Sequence, residues 1–157
     1  MMHTITARDL MVSNLVTLSP DMEVIDALNV LLKRRISGAP VVDEDRQFLG
    51  IFSEKSCMRF VVDATYDGLP SSNLMSFVDA SPPVISAETD LLTIAQTFLD
   101  AACRRLPVLD DYGRLLGQIS RRDIMGAFYE HMKQVQREPA VTGLYLSALM
   151  ESTERPV

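Results

Sequence analysis

The same pattern of residues occurs twice in this chain, in segments 39–53 and 106–120. Each copy has a proline, two apolar residues and two acids, then a short polar turn, then two apolar residues and a glycine, with a serine three residues later. The two copies stay in register at an offset of 67 residues. An internal repeat limits the possible architectures more than any local feature does. This one predicts two similar lobes related by a pseudo-two-fold axis, with a pair of clefts between them.

Size and charge narrow the class of protein. A chain of 157 residues with 47% hydrophobic residues can form one compact unit with a substantial core. Its net charge is −6 and its sequence pI is about 4.8. Proteins that bind nucleic acids usually present a basic face, so this balance argues against a nucleic acid as the partner.

The cysteines and histidines have no metal-site spacing. Cys57 and Cys103 lie in apolar or helical contexts and are interpreted as reduced core thiols, whereas His3 and His131 are interpreted as surface residues. The amino terminus has no signal-peptide pattern, and no apolar run approaches the roughly 20 residues that span a bilayer. These features predict a cytoplasmic protein with no membrane association and no metal site.

Each repeat is predicted to contain a strand, a helix, a hairpin of two strands and a second helix, which places the chain in the α/β (α+β) class. In the first repeat a short strand covers residues 16–18, and Ser19 and Pro20 start the first helix as its N-cap and first helical residue. That helix has a buried stripe at helical spacing, made of Val24, Ala27, Leu28 and Leu31. The second helix is expected over about 54–62.

The second repeat copies this plan. A short strand covers residues 84–85, and the final helix runs over about 121–137. The helix between them is predicted to bury Leu92, Ala95, Phe98 and Leu99. This prediction aligns Ala95 with Ala27, which are 68 residues apart instead of 67. The alignment of the two copies therefore requires a one-residue gap in that helix.

The domain organisation follows from the repeat. The module is expected over 1–137, with repeat one over about 5–62, a linker over 63–73 and repeat two over about 74–137. Glycine, proline and serine residues predict the linker. Residues 138–157 form a mildly apolar carboxyl-terminal tail that could contact its own domain, a second subunit or a partner.

The strand-to-helix junction that begins at Gly117 is the strongest candidate for ligand chemistry. Glycine lets a ligand approach the backbone, and Ser120 is placed at the helix N-cap, where free N–H groups attract phosphate. Arg121 and Arg122 supply countercharge. The Asp123 carboxylate has lone pairs for both hydroxyls of a ribose.

The same residues also fit a purely structural interpretation. Ser120 and Asp123 have the spacing of a capping box, a hydroxyl at the N-cap and an acid three residues later, which needs no ligand. The repeat favours the ligand, because the first copy has Ser56 where the second has Asp123.

A second difference between the copies lies just before the paired strands. The second copy has Arg104 and Arg105, whereas the first has Ser37, Gly38 and Ala39, which are small enough to admit a flat base. Arginines near a helix end are also favoured by the helix dipole without any ligand. The difference indicates a cleft in which cations face small residues.

The sequence contains no recognisable pattern of catalytic residues. It has no phosphate-binding loop, no zinc-protease motif and no nucleophile elbow, so the chain is not expected to be an enzyme.

These patterns resemble a tandem cystathionine-β-synthase (CBS) domain pair, or Bateman module, standing alone. The matching elements are the Pro-Val-Val/Leu-Asp strands that begin at Pro40 and Pro107, the paired Leu-Gly-x-x-Ser turns and the Asp-x-Met helix entry at Asp9. The resemblance covers about residues 5–130. It implies two βαββα-type repeats packed through their sheets, in a module that often pairs as a flat homodimer.

The resemblance also implies a ligand and its contacts. CBS pairs bind AMP, ADP, ATP or S-adenosylmethionine as a regulatory ligand, with no obligatory cofactor. The family's ribose-binding acid matches Asp123, its hydroxyl matches Ser120, and its basic residue matches Arg105. The implied nucleotide-binding residues are Asn14, Val16, Ser37, Gly38, Ala39, Arg104, Arg105, Ser120, Arg122 and Asp123. The family pattern is broken at Ser56 and Gly38, so the other cleft is expected to be empty or to bind something else.

The expected function is that of a homodimeric regulatory module that senses an adenosyl ligand and acts on a separate, unidentified protein. The alternative is a ligand-free dimeric scaffold. The apolar residues of segment 141–149 in the tail favour this alternative.

Overall fold

The computed structural model describes residues 4–68 and 72–137. The elements of the first half are α1 (Ala7–Leu10), α2 (Val24–Arg34), β1 (Gly38–Val42), β2 (Phe48–Ser53) and α3 (Glu54–Asp67). Those of the second half are a 3₁₀ helix (Leu74–Phe77), β3 (Ile85–Ser86), α4 (Leu91–Asp100), β4 (Arg105–Leu109), β5 (Leu115–Ser120) and α5 (Arg121–Gln136). His3 and the predicted tail, 138–157, lie outside the described residues.

Each repeat builds a small sheet around an antiparallel hairpin. β1 pairs with β2 in the first repeat, and β4 pairs with β5 in the second. β3 lies parallel to β4, whereas at the equivalent place in the first repeat Leu18 makes a single parallel bridge with Val41. The predicted strand over 16–18 is therefore reduced to one bridge, while the predicted mixed class of helices and strands is confirmed.

The chain begins with an arm, residues 5–10, that packs on the second repeat rather than the first. Thr6 bridges Asp90, and the Ala7 amide donates to the Thr89 carbonyl oxygen at 2.8 Å. Ala7 is fully buried in the core of the second repeat. This first arm therefore completes the core of the second repeat.

A second arm, which contains the 3₁₀ helix over Leu74–Phe77, completes the core of the first repeat in the same way. Asn73 bridges Glu23, the pair equivalent to Thr6 and Asp90 at the offset of 67 residues. Leu74 and Phe77 lie in the core of the first repeat, where the Phe77 ring makes an edge contact with Phe60 at 5.4 Å. Because each core is completed by the other repeat's arm, the two repeats form one folding unit.

Beyond each arm, the chain runs along the second hairpin strand of the other repeat. Val12 exchanges two backbone hydrogen bonds with Gln118, at 2.9 and 3.0 Å. Asp79 exchanges two with Ile51, both at 2.9 Å. Each small sheet is thereby extended by a segment of the opposite repeat.

Glycine permits both of these close approaches. A Cβ atom at Gly117 would lie 2.7 Å from the Val12 carbonyl oxygen, and one at Gly50 would clash with the Asp79 carbonyl oxygen. Gly50 also has a φ of +146°, which side chains rarely allow. The prediction that Gly117 admits a ligand is wrong, because this space is filled by the backbone of the crossing segment.

The tips of the two hairpins meet across the pseudo-two-fold axis. Gln47 bridges Arg114, and the Arg46 guanidinium donates to the Leu115 carbonyl oxygen at 3.1 Å. Arg46 has a φ of 62°, and the equivalent Gly113 has a φ of 79°. Left-handed backbone costs a non-glycine residue about 1–2 kcal/mol, which the bonds to Leu115 help to offset.

The first long helix begins at Val24 instead of Pro20, and its N-cap is Glu23 instead of Ser19. The Val24 amide donates to the Ser72 carbonyl oxygen at 2.7 Å, and Glu23 belongs to the bridge with the second arm. Pairing with the arm holds this segment extended, which overrides the local capping signal. The predicted buried stripe of this helix is confirmed at Val24, Ala27 and Leu31, with Leu28 half-buried.

The prediction for the buried stripe of α4 is largely wrong. Ile94 and Phe98 are buried, whereas Leu92 is 57% and Leu99 is 80% exposed. Ile94 is equivalent to the buried Ala27, so the offset remains 67 residues and the predicted one-residue gap is not needed. The core instead uses the face with Ile94 and Phe98, of which only Phe98 was predicted to be buried.

The ends of the remaining helices differ in their agreement with prediction. α5 runs over Arg121–Gln136, as predicted. α3 continues to Asp67 instead of ending near Val62, so part of the predicted linker is helical.

We expect Gly50→Ala to lower the free energy of unfolding by about 2 kcal/mol or more, because the new methyl group meets the backbone of the crossing segment. Gly126→Ala is the matched control. Gly126 lies inside α5 with open space around the position of its Cβ, so alanine should stabilise the protein by about 0.5–1 kcal/mol. Urea denaturation of both variants provides the measurement, and equal effects of the two substitutions would contradict the role of the close approach.

Candidate functional site

A cleft of about 400 Å³ lies between the two repeats. Its walls come from the start of β1, the junction of β2 with α3, the crossing segment 79–83 and the loop before β4. This volume lies within the range of about 300–1,000 Å³ that is usual for small-molecule sites. We call it the first cleft.

The structure brings together half of the predicted site residues in the first cleft. They are Ser37, Gly38, Ala39, Arg104 and Arg105. The small residues belong to the first repeat and the arginines to the second, so cations and small side chains line the same cleft, as the comparison of the two copies predicts.

Arg105 makes a side-chain hydrogen bond from the second repeat to the first. Its Nη1 atom donates to the Gly38 carbonyl oxygen at 3.3 Å, and Gly38 is its equivalent residue at the offset of 67. In the two hairpins, Arg105 is paired with Ser120 and Gly38 is paired with Ser53. A single guanidinium therefore joins the starts of β1 and β4, and the hairpin partners of these strands, β2 and β5, end at the two helix starts.

Ser120 and Asp123 form a reciprocal cap at the start of α5. The Ser120 amide donates to Asp123 Oδ2 at 2.8 Å, and the Asp123 amide donates to Ser120 Oγ at 3.1 Å. In the first repeat the Ser53 amide donates to Ser56 Oγ at 3.2 Å, and the Ser56 amide donates to Ser53 Oγ at 3.4 Å. A serine closes the same cap without an acid, so capping by itself does not require the Asp123 carboxylate.

The other half of the predicted set lies outside the lining of the first cleft. These residues are Asn14, Val16, Ser120, Arg122 and Asp123. Asn14 and Arg122 are exposed, whereas Val16 and Asp123 are half-buried. Because Val12 pairs antiparallel with Gln118, the segment that carries Asn14 and Val16 runs in the direction away from Ser120. We call Ser120, Arg122 and Asp123 the α5 junction.

The first cleft also contains the polar residues Ser53, Glu54, Lys55 and Asp79, which the sequence patterns did not select. It therefore borders the start of α3 beside Ser56, the side that the sequence patterns predict to be empty or to bind something else. The repeat could have identified two of these polar residues, because Ser53 is equivalent to Ser120 and Lys55 to Arg122. Asp79 is equivalent to the apolar Val12, and nothing marks it before the crossing of the segments is known.

The charges in the first cleft are mixed. Arg104, Arg105 and Lys55 provide cations, and Glu54 and Asp79 provide carboxylates. Guanidinium groups bind phosphate oxygens well, and carboxylates accept hydrogen bonds from hydroxyl and amino groups. The cleft is therefore suited to a ligand that combines an anionic group with hydrogen-bond donors.

Burial disfavours the thiolate form of both cysteines by raising the pKa of each thiol. Burial raises the pKa of the Cys103 thiol at the cleft wall, although the nearby Arg121 acts in the opposite direction. Burial, reinforced by Glu54, also raises the pKa of Cys57. Thiols with raised pKa values stay protonated at neutral pH and react slowly.

Among residues 4–68 and 72–137, no three His, Cys, Asp or Glu side chains are arranged to hold a metal ion. In the same residues no helix has both the length and the apolar character needed to cross a membrane.

Two equivalent repeats that exchange arms around a ligand-sized cleft define a paired-repeat binding module. The chain belongs to the CBS domain family, whose profile matches residues 7–63 and 74–130. The predicted CBS pair is confirmed.

Known relatives include an enzyme and a CBS-pair protein. Inosine-5'-monophosphate dehydrogenase of Aquifex aeolicus is 33% identical over 116 residues, which make up 73% of this chain and 23% of the enzyme. The chloroplastic CBS domain-containing protein CBSX2 of Arabidopsis thaliana is 27% identical over an alignment of 153 positions, gaps included, that covers 80% of this chain and 61% of that protein. The chain thus spans less than two thirds of either relative. The crystal structure of CBSX2 in complex with AMP, 26% identical in sequence, covers 82% of this chain and 98% of its own, with a TM-score of 0.74.

The two roles of Asp123 can be separated by copying the first repeat. Asp123→Ser should keep the reciprocal cap, as Ser56 does, and lose only the interaction of the negative charge with the helix dipole, about 0.5 kcal/mol. Asp123→Ala also removes the hydrogen bond to the Ser120 amide and should cost about 1 kcal/mol more. Chemical denaturation measures both changes. A larger loss for serine than for alanine would contradict the equivalence of the caps.

Proposed function

We propose that this chain is a regulatory module that binds an adenosyl ligand, such as AMP, ADP, ATP or S-adenosylmethionine, between its two CBS repeats. The observation that carries the proposal is the first cleft, about 400 Å³ in volume, in which two arginines face a wall of small residues. The AMP complex of the similar protein CBSX2 supports an adenosyl ligand for this chain.

Different residues of the first cleft suit different parts of a nucleotide. Arg104 and Arg105 are the groups suited to phosphate, because guanidinium forms paired hydrogen bonds with its oxygens. Ser37, Gly38 and Ala39 leave space for a flat base.

The α5 junction lies outside the lining of the first cleft, and we propose that a ligand whose phosphate lies in the cleft extends along β4 and β5 to place its sugar there. The Asp123 carboxylate is half-buried, and its cap bond is made through Oδ2. Ser56 is its equivalent in the first repeat; that side chain is buried and offers a hydroxyl in place of a carboxylate. We therefore propose that Asp123 binds the ribose diol and that the pairing of Ser120 with Arg105 keeps the sugar and phosphate groups close.

We propose further that the module acts as a homodimer on a separate protein and has no catalytic activity of its own. This proposal is supported by the weakly nucleophilic thiols and by the match to the CBS family over both repeats.

Calorimetric titration with AMP, ADP, ATP and S-adenosylmethionine tests ligand binding. At least one of them should bind the native chain, and Asp123→Ser should weaken that binding by about 1.5–3 kcal/mol through the loss of a charge-assisted hydrogen bond to the sugar. Ser56→Ala is the matched control, because it changes the equivalent cap without removing a carboxylate, and it should bind as the native chain does. No detectable binding of any of the four at millimolar concentration would refute the proposed function.

The assignment of the arginines is tested by comparing AMP with adenosine. Arg105→Ala should weaken the binding of AMP by about 1.5–3 kcal/mol, which is the range for a hydrogen bond to a charged group. It should leave the binding of adenosine nearly unchanged, because adenosine has no phosphate. An equal loss for both ligands would mean that Arg105 contacts the nucleoside or supports the fold instead of binding phosphate. Lys33→Ala, on the outer side of α2, controls for the general loss of one positive charge.

The second candidate function is a ligand-free dimeric scaffold. It is favoured by the large apolar side chains on the outer helices, such as Leu32, which is 70% exposed, and Leu99, which is 80% exposed. The tail residues 141–149, which favour the same function in the sequence, lie outside the described residues. A stable dimer that binds none of the four adenosyl compounds would select the scaffold.

A further inference from the structure

The first cleft is symmetric at its centre and asymmetric at its edge. Equivalent positions of the two repeats line its centre in pairs, namely Ser37 and Arg104, Gly38 and Arg105, Pro40 and Pro107, and Ile51 and Gln118. At the edge, Glu54 and Asp79 line the cleft, whereas their equivalents, Arg121 and Val12, do not. The cleft therefore extends from the pseudo-two-fold axis toward the start of α3. We call this extension the α3 side, and its polar residues are Ser53, Glu54, Lys55 and Asp79.

The charge of the α3 side differs from that of the equivalent positions in the other half of the molecule. Glu54 stands where the second repeat has Arg121, and Asp79 stands where the other crossing segment has Val12. Lys55 is a cation in both copies, as lysine here and as arginine in the second repeat. The α3 side thus combines two carboxylates with one cation, whereas the equivalent positions hold two cations and no carboxylate.

The backbone fixes both acidic residues to the cleft wall. The Glu54 amide donates to the Ser37 carbonyl oxygen at 2.9 Å, and Asp79 exchanges two backbone hydrogen bonds with Ile51. Asp79 Oδ1 also accepts a hydrogen bond from the Ser81 amide at 3.1 Å. The positions from which the two carboxylates extend are therefore set by the fold.

Neither carboxylate is neutralised by a salt bridge within residues 4–68 and 72–137. The salt bridges found there join Arg8 to Glu88 and Arg114 to Asp110, and none of these four residues lines the cleft. Glu54 and Asp79 are both exposed. Their negative charges therefore act on a ligand that enters the α3 side.

We propose that Glu54 and Asp79 limit the phosphate chain of the ligand, so that the module binds a nucleoside monophosphate in preference to a diphosphate or a triphosphate. This inference rests on the adenosyl ligand and its orientation in the proposed function. There the sugar lies at the α5 junction and the first phosphate lies at Arg104 and Arg105. Any further phosphate extends away from the sugar, past the arginines and into the α3 side.

Electrostatic repulsion opposes the longer phosphate chain. The first phosphate already uses the two arginines, and each further phosphate brings additional negative charge toward two carboxylates and a single lysine. Two like unit charges roughly 8 Å apart in water lower an affinity about twofold when salt is low. The two carboxylates act on both added phosphates of ATP, so together they should weaken its binding by a factor on the order of ten.

The test compares AMP, ADP and ATP by calorimetric titration of the full chain. Low salt and a chelator are used, so that neither salt nor magnesium ions screen the phosphates. The native chain should bind AMP most tightly and ATP least tightly. Glu54→Gln and Asp79→Asn each remove one charge with little change in size, and asparagine keeps an oxygen for the Ser81 amide. Each substitution should reduce the ratio of AMP affinity to ATP affinity by about threefold, and the double variant should reduce it by a factor on the order of ten.

Asp111→Asn is the matched control for the loss of one negative charge. Asp111 is exposed in the turn between β4 and β5 and does not line the first cleft. Its substitution should leave the ratio of AMP affinity to ATP affinity unchanged.

Several results would overturn the inference. One is a native chain that binds ATP as tightly as AMP, and another is a double variant that keeps the native ratio. A double variant that loses only S-adenosylmethionine would show that the carboxylates bind a cationic group instead. Failure of all three nucleotides to bind also refutes the inference, and the proposed function fails with it only if S-adenosylmethionine does not bind either.

Discussion

The close approach of two backbone segments at Gly50 and Gly117 is the constraint on which the rest of the molecule depends. At these glycines the chain leaving each arm lies against the hairpin of the other repeat, with no space for a side chain. The exchange fixes the relative position of the repeats, because each arm also completes the opposite core. A cleft between two lobes can keep a defined shape only when the lobes cannot move apart, and here they are tied by two reciprocal crossings.

Because the two repeats have the same fold, the few equivalent positions that hold different residues indicate where the roles of the repeats differ. Gly38 and Arg105 are equivalent positions, and so are Ser56 and Asp123. If each pair held the same residue, the two repeats would form two equal sites. Instead, one repeat contributes the guanidinium that donates to the Gly38 carbonyl oxygen, and the same repeat has the carboxylate at its helix start. The two repeats thus contribute different residues to the cleft between them.

Much of the fold can be predicted from the sequence, because the repeat specifies the order of elements and the hairpins. The errors arise where tertiary contacts override local signals. Ser19 and Pro20 are good starting residues for a helix, but pairing with the second arm delays the start to Val24. The buried face of α4 is hard to predict because the helix has apolar residues on more than one face. Aligning Ala95 with Ala27, because both are alanine, selects the wrong face. The arm exchange itself has no local signature, so Asp79 could not be associated with the first cleft.

Mapping of backbone amide chemical shifts by nuclear magnetic resonance during titration with AMP is the most direct measurement of the central claim, that the interface between the repeats is a nucleotide site. The account predicts that the largest changes occur at amides on the pseudo-two-fold axis and at the helix starts beside it, including Gly38, Arg105 and Ser120. Changes confined to the outer surfaces of α2–α5, or no changes at saturating AMP or the other adenosyl compounds, would contradict it.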